Sequence, residues 1–127
     1  MIKHGDPPYL ECSSRGDKRF SALYARIKKR GGSSIEALYQ AAKVFPGGVT
    51  GLSWRYAKGK PPINMEYCRE LYSTLWDEYI GENPELLHVL ASASGLSDMF
   101  GKPGSCCQAT ELWRIRKAFK EAKENEH

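Results

Sequence analysis

Glu36, Gln40 and Lys43 stand four and three residues apart in "SSIEALYQAAKVF", residues 33–45. At 3.6 residues per turn, that spacing sets an acid, an amide and an amine on one stripe of a helix. Two readings are open for this stripe. Ser33 and Glu36 have the S-x-x-E spacing of a capping box, in which Glu36 bonds back to the Ser33 N–H and the stripe is solvated. Alternatively the stripe lines a cleft, where a carboxylate can stabilise a cation or activate water. Asp98, in "GLSDMFG", is the second acid of interest. It is either the head of an Asx-turn in a glycine loop or a carboxylate beside the aromatic platform of Phe100, which would suit a flat base or a sugar. In "RGDKRFS", residues 15–21, Arg15, Lys18 and Arg19 are either a solvated basic loop or groups that hold a phosphate.

The remaining chemistry-bearing residues narrow the field. His4, His88 and His127 are scattered along the chain, so a histidine acid or a histidine metal triad is hard to build. If the protein is an enzyme, its titrating groups are carboxylates. Cys12, Cys68, Cys106 and Cys107 contain no CxxC pair, so neither a zinc site nor a disulfide framework is expected. Cys68 falls among apolar helix positions and reads as a core residue. No P-loop or dinucleotide fingerprint occurs. No cofactor or metal is expected. The formal net charge of +4 favours an anionic ligand without demanding nucleic acid. Its basic groups concentrate in "RGDKR" (15–19) and "RIKKR" (26–30).

The elements that must position these residues follow from periodicity. With 127 residues, 41% hydrophobic and 27% charged, the chain suits one domain with a single core, residues 1–127. Residues 1–16 read as irregular, with Pro7, Pro8 and Gly16 as breakers. "RFSALYARI" (19–27) alternates as a half-buried strand does. A helix is expected from about Ser34 to Phe45, a short one within 51–59, and a long one from Asn64 to about Gly81. Another begins at "NPELL", with Asn83 as its cap and Pro84 in its first turn. A glycine- and serine-rich loop is expected over 92–105, before a last helix that starts between Ser105 and Thr110. The expected fold is α+β, mainly helical, with a short N-terminal β element. No apolar run approaches membrane-spanning length, and "MIKHGDPPYLEC" lacks the apolar stretch of a signal peptide. A cytoplasmic protein is therefore expected.

Taken in order, several segments resemble the NADAR superfamily, the NAD- and ADP-ribose-associated domains. "RFSALYA" is similar to the family's opening Phe-Ser pair and aromatic patch. "SIEALYQAAKVF" is similar to its S-E-H-Y-x-Q-A-x-K-F helix, matching Glu36, Tyr39, Gln40, Ala41 and Lys43. "YAKGK", the Asn64 helix, "ENPELLHVLASASG" and "ELWRIR" follow in the family's order, so the resemblance spans about residues 18–118. Ala37 stands where the family has His, and Met65 where it has Trp. The family's D-x-x-W-G loop is shortened to "SDMFG": either Asp98, Phe100 and Gly101 stand for Asp, Trp and Gly, or Asp98 replaces the acid that precedes that loop and the loop itself is lost.

The resemblance implies an N-glycosidase that cleaves a base from ribose in a phosphate-bearing substrate, either a small nucleotide or an ADP-ribosylated nucleic-acid base. It implies Glu36 and Asp98 as the reacting carboxylates. Tyr39, Gln40 and Lys43 would bind substrate together with the Arg15, Lys18, Arg19 and Ser21 loop, and Phe20 or Phe100 would stack on the base. Two other expectations remain open: a non-catalytic module for an ADP-ribose-like nucleotide, and a nucleic-acid-binding protein that uses the basic N-terminal third.

Overall fold

The computed structural model describes residues 1–126. It is a mainly helical α+β protein. Its strands are β1 (Ile2–Gly5), β2 (Tyr9–Glu11), β3 (Arg26–Ile27), β4 (Ser33–Ser34) and β5 (Gly95–Asp98). Its helices are α1 (Ile35–Ala41), α2 (Trp54–Ala57), α3 (Met65–Glu82), α4 (Leu86–Ser92) and α5 (Gln108–Glu124).

Two small sheets do the positioning. β5 is central in the order β1-β5-β2, antiparallel to β1 and parallel to β2. The register pairs Ile2 with Asp98 and Glu11 with Ser97. All of β5 is buried, so its residues read as a continuous buried run rather than an alternating one. The crossing is tight at Gly95, where a Cβ would lie 2.5 Å from the Asp6 carbonyl and 2.7 Å from a Tyr9 ring carbon. A side chain there would force the strands apart. β3 and β4 form a short antiparallel hairpin that feeds directly into α1.

α3 is the spine of the core. Cys68, Tyr72, Leu75, Trp76, Tyr79 and Ile80 recur at helical spacing on its buried face. Tyr39, Tyr72, Trp76 and Tyr79 stack edge to face along it, with ring centroids 5.0, 6.5 and 5.7 Å apart in succession. The Tyr79 hydroxyl donates to the Arg19 carbonyl at 2.7 Å, tying the basic loop to the spine. Arg116 of α5 donates to the carbonyls of Leu90 and Ala93 at 3.0 and 2.9 Å. A cation therefore closes the negative end of α4.

Several expectations are corrected. Residues 1–16 are not irregular: they supply two strands of the larger sheet, and the 92–105 loop supplies the third. "RFSALYARI" is not a strand over its length. Lys18–Phe20 is a 3-10 turn, turns follow, and only Arg26–Ile27 pairs. α1 is shorter than the Ser34–Phe45 helix expected, ending at Ala41. Asn64 precedes α3, but its side chain does not cap it. Its oxygen instead accepts from Val44 N at 2.9 Å and its amide donates to the Ala42 carbonyl at 3.0 Å.

Candidate functional site

The N-cap of α1 is Ser34, whose hydroxyl accepts from Ala37 N at 3.1 Å. Glu36 therefore sits one position too early to close a capping box. Its backbone N–H donates to the Ala22 carbonyl at 2.9 Å, and its side chain is left to face a cleft. This settles the local ambiguity of the S-x-x-E spacing.

The cleft has two lobes. One, of about 490 Å³, is lined by Glu36, Tyr39, Gln40 and Lys43 from α1 and the residues just after it, with Lys58 and Lys60 from the loop after α2 and Lys102 from the loop after β5. The other, of about 400 Å³, is lined by Arg15, Ser21 and Gln108 among others. Glu36, Lys58, Tyr72, Asp98, Phe100 and Cys106 border both lobes. The two carboxylates thus stand at the waist of the cleft, and cations line each side.

Each side chain is held by identifiable contacts. Gln40 is buried, and its amide donates to Glu36 Oε1 at 2.8 Å. That bond fixes the amide orientation, because the flipped form would set oxygen against oxygen. Gln40 Oε1 is buried without a partner. Lys43 is 5% exposed and donates to the carbonyls of Ala57 and Lys60 at 3.1 and 3.0 Å. Burial lowers its proton affinity below the ordinary lysine value, partly opposed by nearby Cys68, Glu36 and Cys106. Burial likewise raises the Tyr39 and Tyr72 phenols, so both are neutral at ordinary pH.

Asp98 is buried at the end of β5. Its Oδ1 accepts from Phe100 N at 3.0 Å, which is an Asx-turn. Its Oδ2 accepts from the Gln108 amide at 2.9 Å and the Cys107 thiol at 3.5 Å. Gln108 Oε1 in turn accepts from Ala22 N at 2.8 Å. This chain joins α5, β5 and the segment before β3 along the wall of the cleft. Both readings of Asp98 therefore describe the same geometry: a turn-forming carboxylate that also borders the cleft beside Phe100. With its oxygens so engaged, Asp98 is suited to a fixed electrostatic role rather than to proton transfer.

Three expected ligand-binding residues lie elsewhere. Phe20 is fully buried in the core and has no face free for a base. Arg19 forms a bidentate pair with Asp17, at 3.1 and 2.7 Å, outside the cleft. Lys18 lies over the Tyr24 ring at 4.7 Å and lines neither lobe. Of the candidates, Glu36, Tyr39, Gln40, Lys43, Asp98, Phe100, Arg15 and Ser21 do line the cleft. Sequence reasoning did not single out Lys58, Lys60, Lys102 or Gln108. The first two stand in "AKGKPP", where Gly59 and the prolines announce a loop beside the helix that carries Glu36. No local signal marks Gln108.

Compared with known proteins, the chain matches no family model, and no curated protein is significantly similar to it.

Proposed function

We propose that the protein is an N-glycosidase for a ribosylated, phosphate-bearing substrate, with the sugar seated at the waist of the cleft. The observation that carries this reading is the convergence of Glu36, Asp98 and the lysines at 43, 58, 60 and 102 on one cavity. Breaking the C1′–N bond leaves its electron pair on the departing base and builds positive charge on the ribose ring. A fixed carboxylate beside that carbon stabilises the charge. Water then adds to C1′, and Glu36 is the group placed to take its proton. The base nitrogen gains a proton from solvent. Asp98 adds negative charge without moving, because its hydrogen bonds hold it. The lysines anchor phosphate, so that binding energy remote from C1′ fixes the sugar against Glu36. Phe100, 58% exposed at the cleft, offers its ring to the base. The expected setting is cytoplasmic; among the described residues, no helix is long and apolar enough to cross a membrane.

The direct test is release of free base from a phosphoribosyl-amino pyrimidine or from ADP-ribosylated guanosine. Release that depends on the protein is expected. A second reading has one observation in its favour. Asp98 accepts on both oxygens, whereas Glu36 accepts one bond, from Gln40, so of the two carboxylates at the waist only Glu36 keeps an oxygen open to a ligand. On that reading the cleft holds an ADP-ribose-like nucleotide without turning it over, and the assay would show binding with no base released.

A further inference from the structure

Between Glu36 and Glu66 the chain contains no acidic residue. Within that stretch, residues 47–63 form a strap beside the cleft, and Lys58, Gly59, Lys60 and Pro61 line it directly. The strap interleaves cations with large flat side chains. Arg55 lies over the Trp54 ring at 4.6 Å and Lys60 over the Tyr56 ring at 5.6 Å. Tyr56 is 69% exposed. Among the described residues, Arg55, Lys58, Lys60 and Lys102 form no ion pair with a carboxylate.

The N-terminal third is different. Arg19 is paired with Asp17, and Arg30 and Lys29 with Glu78. Glu82 accepts from the backbone N–H groups of Lys28 and Lys29 at 2.7 and 3.0 Å. Among the described residues, three of the seven cations in "RGDKR" and "RIKKR" (Arg19, Lys29 and Arg30) are thus paired with carboxylates, whereas none of the strap's cations is.

We propose that the strap and the adjoining rim of the cleft are a docking surface for single-stranded nucleic acid. Bases stack on Tyr56 and Phe100, and phosphates meet Arg55, Lys58, Lys60 and Lys102. The chemistry selects the occupant. Phosphates along a strand answer a row of unpaired cations, and exposed aromatic faces between those cations need flat, unstacked partners. A duplex hides its base faces, and α2, at four residues, is too short to serve as a groove-reading helix. An acidic peptide would engage the cations and leave Tyr56 idle. The inference rests on the proposed cleft reading only for what lies at the end of the strap.

The test is fluorescence anisotropy of a labelled short oligothymidylate, with its duplex and with heparin as a base-free polyanion. The single strand is expected to bind better than the duplex. Its affinity should fall with salt, with a slope of about −0.7 per phosphate contacted, or roughly −3 for four contacts. Tyr56→Ala should weaken oligothymidylate binding by about 5-fold or more and leave heparin binding unchanged. Arg55→Gln should reduce the salt slope by about 0.7. Neither residue lines the cleft, so turnover of a small nucleotide should be the same in both variants and the parent. No binding at low salt, equal binding of duplex, or an oligothymidylate affinity indifferent to Tyr56→Ala would overturn the docking surface. Strand binding without base release from any substrate would remove the glycosidase reading and leave the docking surface standing. Base release without strand binding would do the reverse.

Discussion

Glu11 takes no part in the proposed chemistry, yet its carboxylate sets where Asp98 lies. It accepts from Ser13 N and Met99 N, both at 3.1 Å, and from the Ser97 hydroxyl at 2.8 Å. Burial raises its proton affinity, but bonds from Ser13, Met99 and Ser97 prevail and hold the carboxyl below its ordinary value. A depressed folded-state value stabilises the fold above the unfolded value, about 4.3, and that contribution is lost as pH falls through the folded one. Melting temperature should therefore fall on acidification below about pH 4.3, and less steeply in Glu11→Gln. At neutral pH that variant should lose on the order of 1 kcal/mol, since the site is partly exposed and its bonds only partly replaced. An identical acid limb in the variant would show that Glu11 contributes nothing.

At the scale of elements, α1, the strap and α3 are joined by two polar side chains. Asn64 links the start of α3 to the end of α1, and Lys43 links the end of α1 to the strap. Asn64→Ala removes two bonds to the backbone and should destabilise by about 1–3 kcal/mol in denaturant unfolding. Lys43→Met removes a buried charge as well as two bonds, and those effects oppose one another. Global stability should then change little, while amide exchange at residues 57–60 quickens. Unchanged exchange there would mean that the strap is held by something else.

The same elements show what a sequence conveys. α3 and α5 are legible because a long amphipathic stripe repeats many times. Glu36 and Gln40 are legible as one face of α1 from their four-residue spacing, whereas Lys43 lies beyond the end of the helix. The three strands of the larger sheet have at most four residues each, too few for a period of two to register. β5 is buried throughout and shows no alternation. The S-x-x-E spacing makes Ser33 the expected cap, and only the structure shows that Ser34, one residue later, fills the role. Phe20 reads as a stacking platform until its burial is known. Cleft residues from distant segments, such as Lys102 in the loop after β5 and Gln108 at the start of α5, are brought in by packing that no local pattern encodes.

At the scale of the whole molecule, the waist of the cleft lies where α1, the end of β5, the start of α5 and the strap meet. A ligand seated there touches elements far apart in the chain, so binding should raise the melting temperature in proportion to RT ln(1 + [L]/Kd). ADP-ribose should do so in the parent and equally in Glu36→Gln, because the ground-state sugar carries no charge at C1′. A shift seen in the parent and lost in Glu36→Gln would make Glu36 a binding group.

The central claim is that Glu36 acts on a cation that exists only in the transition state. The measurement that tests it most directly is base release by Glu36→Gln beside the parent, at saturating substrate. The substitution keeps the shape of the side chain and removes its charge. Turnover is expected to fall by about 100-fold or more, the usual contribution of a positioned electrostatic or acid–base group, with ligand affinity nearly unchanged. Near-normal turnover in Glu36→Gln would contradict the account, and would leave the cleft without the residue around which it has been read.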